Sequence, residues 1–259
     1  MTTVTPMVRV GVFGAAGRMG GEVCRAVAGD PDLALVARVD PRIGEDSAVA
    51  GGTTPEVMAE QGVEVAVDFS VAESAVRNAL WCAAHGIHAV IGTSGISEGA
   101  LGQLRDAFAG PPNCLVAPNF AIGAVLMIRL AEMAAPFFET AEIIELHHDG
   151  KVDAPSGTAV HTAERLAAAS STWAPDPTRV STLDGARGAV GAGQVHIHSV
   201  RLRGLVAHQE VLLGTTGQTL TIRHDSYDRT SFMPGVLLAV KRIAEHPGVT
   251  VGLDTYLGL

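Results

Sequence analysis

The sequence is poor in aromatic residues, cysteine and lysine, and each shortage narrows what the protein can be. Aromatic residues make up only 4% of its 259 residues, whereas hydrophobic residues make up 47%. The core must therefore be built from Ala, Val, Leu and Ile, as in parallel sheets covered by helices. Charged residues make up 17%, a balance typical of a compact globular chain and not of a disordered one.

Cysteine is too scarce for a disulfide framework. Cys24, Cys82 and Cys114 lie far apart and form no CxxC pair, so the sequence predicts neither a disulfide scaffold nor a zinc site, and we expect no metal. The first residues lack the basic and apolar segments of a signal peptide. Since no apolar run approaches the roughly 18 residues of a membrane helix, we expect a cytoplasmic protein without a membrane partner.

Positive charge is also in short supply. The chain has 18 basic and 27 acidic residues, and its net charge of −9 argues against nucleic acid as a partner. Sixteen of the basic residues are Arg, and the two lysines are Lys151 and Lys241. Seven of the ten histidines lie between His147 and His224, which indicates a second region with different chemistry.

The first 120 residues repeat a β-rich apolar run followed by a helical stretch. The runs predict strands at 8–13, 33–39, 63–69, 87–91 and 114–117, and the stretches predict helices near 19–28, 71–85 and 98–109. This alternation predicts an α/β domain with a doubly wound parallel sheet. Right-handed crossovers would place the loops after the strands along one edge, where ligands bind.

After about residue 135 the pattern predicts a second, α+β domain built on a mixed or antiparallel sheet. The predicted strands are 142–147, 195–202, 205–213 and 219–224, with a helix at 158–169 and a long loop at 170–192. The tail reads as a helix at 233–245 and a strand at 249–253, which could belong to either domain.

A glycine-rich loop connects the first predicted strand to the first predicted helix. Its spacing is GxxGxxG, with Gly14 at the turn, Gly17 where a pyrophosphate could approach, and Gly20 where the helix meets the strand. Asp40 ends the second strand, where an acidic side chain would bind an adenosine ribose. The neighbouring Arg18 and Arg42 could instead pair with a 2′-phosphate, so the choice of cofactor stays open. The loop could also be a glycine turn that binds no ligand.

Two further loops follow the fourth and fifth predicted strands. They are Gly92-Thr93-Ser94-Gly95 and Ala117-Pro118-Asn119-Phe120. In a doubly wound sheet both would face the nicotinamide end of a dinucleotide. Each loop alone could equally be an ordinary turn, and their shared position favours a cofactor role.

The segment with the most chemical side chains is ELHHDGKVDAPSGTA, residues 145–159. His147 and His148 can transfer protons near neutral pH, and Lys151 can deliver a proton as arginine cannot. Ser156 can cap a helix whose first amides, at Gly157 and Thr158, would bind a carboxylate. The alternative is a polar surface turn before a capped helix.

Four arginines further along the chain could belong to an anion pocket or to interface salt bridges, and the sequence leaves their roles open. They are Arg201, Arg203, Arg223 and Arg229.

These motifs resemble the dihydrodipicolinate reductase family, also called 4-hydroxy-tetrahydrodipicolinate reductases. The resemblance spans nearly the whole chain and rests on GAAGRMG (14–20), VDFS (67–70), APNFAIG (117–123), the segment 145–159 and IRHDSYDRTSFMPG (222–235). It implies a Rossmann-like dinucleotide-binding domain from residues 1–121 and 231–259, and a substrate-binding and tetramerisation domain from residues 122–230. It also implies reduction of 4-hydroxy-tetrahydrodipicolinate (dihydrodipicolinate) to tetrahydrodipicolinate by NAD(P)H, on the path to diaminopimelate and lysine, in a homotetramer.

The resemblance also assigns roles to individual residues. His147 corresponds to the proton donor/acceptor and Lys151 to a proton donor, while His148, Gly157 and Thr158 match contacts to a dicarboxylate substrate. The positions that match cofactor contacts are Gly14, Ala15, Ala16, Gly17, Arg18, Met19, Asp40, Gly92, Thr93, Ser94, Ala117, Pro118, Asn119 and Phe120.

Two positions depart from the family pattern. Ser94 stands where the family usually has Thr, which keeps a hydroxyl. Asp40-Pro41 stands where some members have Glu-Arg. The second departure favours NADH, or dual use of NADH and NADPH, over strict use of NADPH.

Two other functions fit parts of the sequence. A dehydrogenase of the aspartate-semialdehyde type would need a nucleophilic cysteine, and the three cysteines fall in predicted strands and helices. A catalytically silent NAD(P)-binding sensor would lack the acid residues, and both His147 and Lys151 are present.

Overall fold

A computed structural model describes residues 7–43 and 49–259. The strands are β1 (Val8–Phe13), β2 (Leu33–Val39), β3 (Ala50–Gly52), β4 (Val65–Asp68), β5 (His88–Ile91), β6 (Cys114–Val116), β7 (Thr140–His147), β8 (Ala189–Val190), β9 (His196–Arg201), β10 (Ala207–Thr215), β11 (Gln218–Ser226) and β12 (Val249–Val251). The helices are α1 (Arg18–Gly29), α2 (Glu56–Glu60), α3 (Ala72–Ala84), α4 (Glu98–Ala107), α5 (Ile122–Ala134), α6 (Gly157–Ala169), α7 (Met233–Arg242) and α8 (Asp254–Leu257).

The described residues form two compact units. One comprises those up to Phe120 together with Phe232–Leu259, and the other is Ala121–Ser231. Residues 1–6 and 44–48 of the predicted first domain lie outside the described residues.

The first unit contains a seven-stranded parallel sheet, which confirms the predicted doubly wound class. The strand order is β12-β6-β5-β4-β1-β2-β3, with β1 between β2 and β4. The chain winds outward in one direction through β2 and β3 and in the other through β4, β5 and β6. Sheets of this kind bind ligands at the carboxyl ends of the strands where the winding reverses, so β1 marks the expected binding edge.

The tail of the chain belongs to this sheet. Strand β12 lies at its edge and pairs in parallel with β6. The buried side chain of Asn113 donates from Nδ2 to the carbonyl of Ile243 at 2.9 Å and accepts from the amide of Gly248 at 3.2 Å. The tail therefore provides hydrogen-bond partners for an amide group that has no access to water.

The second unit is built on a mixed five-stranded sheet, in agreement with the α+β prediction. Its order is β11-β10-β7-β9-β8, in which β10 runs antiparallel to both neighbours while β7 and β9 run parallel. Helices α5 and α6 pack together, and the core they share with the sheet includes Met127, Ile143, Leu166 and Val211. Strand β7 is thus central, and its carboxyl end carries the histidine pair.

Some elements do not follow from the sequence pattern. The short β3, α2 and β8 contain three, five and two residues, too few for a period to show. Helix α5 is missed because Leu126, Leu130 and Met133 are apolar and yet exposed, so the helix lacks the polar face that marks an amphipathic one.

Helix α1 meets the glycine loop so closely that one position admits no side chain. A Cβ on Gly20 would overlap the carbonyl of Gly14 and the Cα of Ala15, whereas a Cβ on the adjacent Gly21 would meet its nearest atoms at 3.9 Å. We expect Gly20→Ala to lower the free energy of unfolding by about 1–3 kcal/mol through overpacking. Gly21→Ala should raise it by up to about 1 kcal/mol through helix propensity.

Urea unfolding followed by circular dichroism compares these two variants directly. Both make the same chemical change in the same helix, so only the local space differs. Equal stability of the two variants would contradict the close approach of α1 to the loop.

Candidate active site

The glycine loop forms a tight turn between β1 and α1. Gly14 has φ of +71°, a conformation that L side chains rarely adopt, and its amide donates to the carbonyl of Val39 at 2.8 Å. Gly17 closes the turn by donating to the carbonyl of Gly14 at 2.9 Å and serves as the N-cap of α1. None of the described side chains caps this helix end. The amides of the first turn, at Arg18 and Met19, therefore remain for an anion such as a pyrophosphate.

Asp40 lies directly after β2 with 4% of its surface exposed. Its Oδ2 accepts from the amide of Ala16 at 3.3 Å, and its Oδ1 accepts from the amide and Nε of Arg42 at 2.9 and 3.2 Å. Although burial acts to raise the pKa of Asp40, the hydrogen bonds from Arg42 and Ala16 hold it below the usual range. An ionised carboxylate thus lies next to the glycine loop with an arginine beside it.

A cleft of about 680 Å³ runs along this edge of the sheet. Gly14, Gly17, Asp40 and Arg42 line one part of it. The residues that line the rest, most of which the sequence analysis did not single out, are Phe13, Val39, Pro41, Thr53, Thr54, Pro55, Phe69, Ser70, Val71, Ser74, Arg77, Asn78 and Trp81. Arg77 and Trp81 stand four residues apart on α3, and this helical spacing after the VDFS strand is the signal that could have identified them.

The loops after β5 and β6 lie at the carboxyl edge of the same parallel sheet. The amide of Gly92 donates to the carbonyl of Asp68 at 2.9 Å, and Thr93 Oγ1 donates to the carbonyl of Ser70 at 3.4 Å. Ser94 is exposed. The first loop is therefore bonded to the chain that follows β4, while its last hydroxyl faces solvent.

The second loop has two buried and two accessible residues. Ala117 and Phe120 are buried, and the Phe120 ring lies 5.8 Å from that of Phe69. Pro118 is exposed and Asn119 is half-buried. Among the predicted cofactor positions, Ala15 is also buried, so Ala15, Ala117 and Phe120 can shape the site by packing and through their backbone.

The second unit brings a carboxylate, a histidine and an arginine together on its central strands. Glu145 on β7 has no exposed surface. Its Oε2 lies 2.5 Å from Nδ1 of His147 and 2.8 Å from Nη1 of Arg201, and its Oε1 lies 2.8 Å from Nη2 of Arg201. The parallel register of β7 and β9 places His147 directly beside Arg201. The sequence analysis did not select Glu145, although its place two residues before His147 on a strand puts both side chains on one face.

The charge state of this cluster follows from its surroundings. Although burial acts to raise the pKa of Glu145, hydrogen bonds from Arg201, Ser199 and His147 hold it below the usual range. Burial, together with the cations Lys151 and Arg201, lowers the pKa of His147 even though Glu145 acts to raise it. The site therefore holds an ionised carboxylate and a histidine that is neutral at pH 7.

Lys151 lies in the loop after β7. Its ammonium donates to both carboxylate oxygens of Asp153, at 2.8 and 2.7 Å, and holds the pKa of Asp153 below the usual range. The carbonyl of His148 accepts from the amide of Lys151 at 3.2 Å, and the His148 side chain is exposed. This turn brings the lysine back to the end of the strand that carries His147.

Helix α6 begins at the predicted anion site. Ser156 is the N-cap, and its Oγ accepts from the amide of Ala159 at 3.2 Å. Gly157 is exposed and Thr158 is half-buried, so the amides of the first turn face accessible space where a carboxylate can bind. The structure thus brings His147, Lys151 and this helix start together around the end of β7.

The structure also sorts three of the four arginines whose roles the sequence left open. Arg201 belongs to the cluster around Glu145, whereas the largely exposed Arg203 pairs with Asp149 at 2.8 Å. Arg223 pairs with Glu210 and Asp225 across β10 and β11. Of these three arginines, Arg201 alone contacts the cluster of Glu145 and His147 directly.

The cysteines carry no sign of nucleophilic activation. Burial raises the pKa of the Cys114 thiol to about 12 and raises that of Cys82 even further. Burial also raises the pKa of Cys24. Because the thiolate is the nucleophile, this protonation argues against a dehydrogenase that works through a cysteine.

Within residues 7–43 and 49–259, the helices lack the length and apolar character that crossing a membrane requires. The same residues contain no group of three or more His, Cys, Asp or Glu side chains that could hold a metal ion.

Comparison with known proteins gives matches along almost the entire chain. Residues 8–120 match the family described as dihydrodipicolinate reductase, N-terminus, and residues 123–257 match dihydrodipicolinate reductase, C-terminus. The 4-hydroxy-tetrahydrodipicolinate reductase of Cutibacterium acnes is 53% identical over 98% of this chain and 100% of its own length. That of Nocardia farcinica is 52% identical over 97% and 99%.

Solved structures agree with these matches. A dipicolinate-bound dihydrodipicolinate reductase from Paenisporosarcina sp. TG-14 is 38% identical, with a TM-score of 0.86 over 96% of this chain and 99% of that one. A myo-inositol dehydrogenase from Corynebacterium glutamicum, 17% identical with a TM-score of 0.62 over 93% and 90%, shares the fold alone. Because both family regions match, over residues 8–120 and 123–257, and a relative is 53% identical over 98% of this chain, this protein belongs to the dihydrodipicolinate reductase family.

Proposed function

We propose that the chain reduces 4-hydroxy-tetrahydrodipicolinate to tetrahydrodipicolinate with a pyridine nucleotide, in the synthesis of diaminopimelate and lysine. Membership of the family gives the reaction class. The observation that carries the proposal is the cluster at the end of β7, where the buried Glu145 holds His147 and the loop returns Lys151 to it. An acid–base pair beside an anion-binding helix start is what reduction of a dicarboxylate requires.

The first unit has the features that hold a pyridine nucleotide. The amides at the uncapped start of α1 suit the pyrophosphate, and Asp40 suits the hydroxyls of the adenosine ribose. Gly17 leaves room for the phosphates, since a Cβ there would fill space only 3.0 Å from the Gly14 carbonyl. When bound, the nicotinamide supplies a hydride to an electron-poor ring carbon of the substrate.

The second unit supplies the groups that bind and protonate the substrate. The amides of Gly157 and Thr158 and the side chain of His148 would hold the carboxylates of the substrate. A relative of this chain has been solved with the dicarboxylate dipicolinate bound. In this role Lys151 delivers the proton, because it lies close enough to His147 to help lower the pKa of that ring. Neutral His147 accepts and returns a proton through Nε2, since Nδ1 is bonded to Glu145.

The reaction is tested by supplying the product of the preceding synthase to the purified chain. We expect oxidation of NADH or NADPH, seen as loss of absorbance, that requires both the synthase and its substrates. Omission of the synthase is the control for non-specific oxidation. Failure of both nucleotides to be consumed would contradict the proposed function.

We expect the enzyme to use both NADH and NADPH. Asp40 suits a free ribose, while Arg42, held against Asp40 at 3.2 Å and largely exposed, stands where it can also meet a 2′-phosphate. The two values of kcat/KM should therefore lie within about 100-fold of each other, a difference of roughly 2.7 kcal/mol. A stronger preference for NADPH would show that Asp40 does not act as proposed.

A variant of Arg42 separates the contribution of Arg42 to binding a 2′-phosphate from that of Asp40 to binding the ribose. Arg42→Ala should weaken the binding of NADPH more than that of NADH, measured as dissociation constants by nucleotide fluorescence. Arg105→Ala removes an arginine of α4 that pairs with Glu98 and does not line the cleft, and it should change neither constant. Equal losses for both nucleotides in Arg42→Ala would assign that residue to general binding and not to the phosphate.

We also propose that the chain is a cytoplasmic homotetramer assembled through its second unit. The apolar strands predicted at 195–202 and 205–213 would be an aggregation hazard if left as free edges or an open face, but β9 and β10 each have neighbours on both sides. The long edge strand is β11, most of whose residues are exposed, and covering such an edge protects it from aggregation. Sedimentation of the purified chain should give four times the monomer mass, and a monomeric mass would contradict the assembly.

The free cysteines suit a reducing compartment.

A further inference from the structure

Glu145 is a buried charge whose hydrogen bonds reach both halves of the proposed substrate site. Its carboxylate has no exposed surface and accepts from His147, from both Nη atoms of Arg201, and from the amide of Ser156 at 3.2 Å. An ionised carboxylate this deep is stable only when such donors surround it. Its position therefore links the end of β7 to the start of α6.

The bond to His147 determines which ring nitrogen carries the proton. An ionised carboxylate can only accept, so the 2.5 Å contact requires a proton on Nδ1 of His147. In the neutral ring Nε2 is then unprotonated and available to accept a proton. Without the carboxylate, either nitrogen could carry the proton and the ring could turn.

The bond to Ser156 fixes the helix start. Ser156 is 3% exposed, and the same residue caps α6 through Oγ while its amide donates to Glu145 Oε1. The amides of Gly157 and Thr158 follow directly. A shift of the Glu145 carboxylate would therefore move the carboxylate-binding amides and the histidine together.

We propose that Glu145 is a positioning residue for the reduction: one carboxylate sets the Nδ1–H form of His147 and, through Ser156, the orientation of the anion-binding start of α6. This role rests on the proposed function. It goes beyond an ion pair with Arg201, because a purely structural pair would leave the protonation of His147 unchanged.

The charges around His147 predict how removal of Glu145 acts. On its own strand the neighbour is Glu145, β9 contributes Arg201, the following loop contributes Lys151 paired with Asp153, and β10 places the uncharged Ala207 opposite. With Glu145 neutralised, Arg201 faces the ring without its counter-charge, while Lys151 keeps its pair with Asp153. Removal of the Glu145 charge must therefore lower the pKa of His147. This direction is the same whether the enzyme needs the ring neutral or charged.

The same strand offers a matched control. Glu142 on β7 also accepts from an arginine and a histidine, namely Arg187 and, at 2.5 Å, His198. Glu142→Gln therefore removes the same kind of charged contact from the same sheet without touching His147. Any general effect of a lost ion pair on the second unit should appear in both variants.

The test compares Glu145→Gln, Glu145→Asp and Glu142→Gln in the full-length protein. For Glu145→Gln we expect kcat to fall by about 100-fold, the NADH dissociation constant to stay unchanged, and the His147 titration in NMR to move down by about one pH unit or more. Glu145→Asp keeps the charge and should lie between wild type and the Gln variant. Glu142→Gln should keep the wild-type kcat and His147 titration. A wild-type titration of His147 in Glu145→Gln, or an equal shift in Glu142→Gln, would overturn the proposal.

A measurement on the wild-type protein keeps the proposal testable if Glu145→Gln does not fold. Nitrogen NMR distinguishes the two neutral forms of histidine, and loss of a signal in His147→Asn assigns the resonance. We expect the Nδ1–H form at neutral pH, and an Nε2–H form would overturn the proposal. Because this readout uses neither substrate nor nucleotide, it gives its answer even if the proposed reaction is not observed.

Discussion

Replacement of Lys151 by alanine should lower kcat by about 10²–10⁴-fold, the usual contribution of a positioned proton donor. The NADH dissociation constant should not change, because the glycine loop and Asp40, which are proposed to bind the nucleotide, lie in the first unit. Steady-state kinetics and nucleotide fluorescence measure the two quantities separately. His147→Ala should show the same division, with a large loss in kcat and intact nucleotide binding. Unchanged turnover in either variant would remove that residue from the mechanism.

Two further variants separate the charge of Lys151 from its proton. Lys151→Arg keeps a cation that can pair with Asp153, but guanidinium does not release a proton near neutral pH. This variant should therefore keep KM for the substrate close to wild type while kcat falls. Lys241→Ala removes the other lysine, which pairs with Asp30 and Asp32 on the first unit, and should leave both constants unchanged. Full activity in Lys151→Arg would show that only the charge is required.

The largest effect on stability should come from Arg201→Met. Arg201 donates to both oxygens of the fully buried Glu145, so its removal leaves a buried carboxylate without its main partner. Loss of one member of such a pair typically lowers the free energy of unfolding by about 3–5 kcal/mol. Chemical unfolding followed by circular dichroism measures the change.

The stability loss should depend on pH in a defined direction. In the wild type the pKa of Glu145 is lowered, so its contribution is present above the unfolded pKa of about 4.3 and is lost as the pH falls through the folded value. Without Arg201 we expect burial to raise the pKa of Glu145 instead, so that stability is lost as the pH rises. The gap between wild type and variant should therefore widen from pH 5 to pH 7.5.

Arg203 provides the control for this prediction. It lies two residues from Arg201, its side chain is 92% exposed and it pairs with Asp149. Arg203→Met should change the free energy of unfolding by less than about 1 kcal/mol. A loss in Arg201→Met no larger than in Arg203→Met, or a gap that does not vary with pH, would mean that Glu145 does not depend on Arg201.

The regular part of the fold is predictable because its signals are local. Strand β1 and the helix after it are marked by an apolar run, a glycine turn and a helical pattern within some 20 residues. Strand β12 falls within the strand predicted at 249–253, but the sequence left open which domain the tail joins, and only the pairing with β6 at the sheet edge decides this. Helix α5 is not predicted, because its exposed leucines resemble core residues and remove the amphipathic pattern of a helix.

The site shows the same division between local and distant information. His147, Lys151 and Ser156 fall within ten residues and can be selected for their chemistry. Arg201 joins them from 56 residues beyond Glu145 through the parallel pairing of β7 with β9. Glu145 looked like an ordinary polar residue in a strand, because only the fold shows that its carboxylate is sealed from water and surrounded by donors.

The discontinuous first unit has a consequence for how the chain is made. As the ribosome works from the amino end, residues up to Phe120 emerge first, yet β12 and the partners of the Asn113 amide lie after residue 242. The second unit, Ala121–Ser231, is contiguous and has all five of its strands before that tail exists. The unit that is translated first is therefore the last whose sheet can be completed, and until then the edge of β6 stays open in the nascent protein.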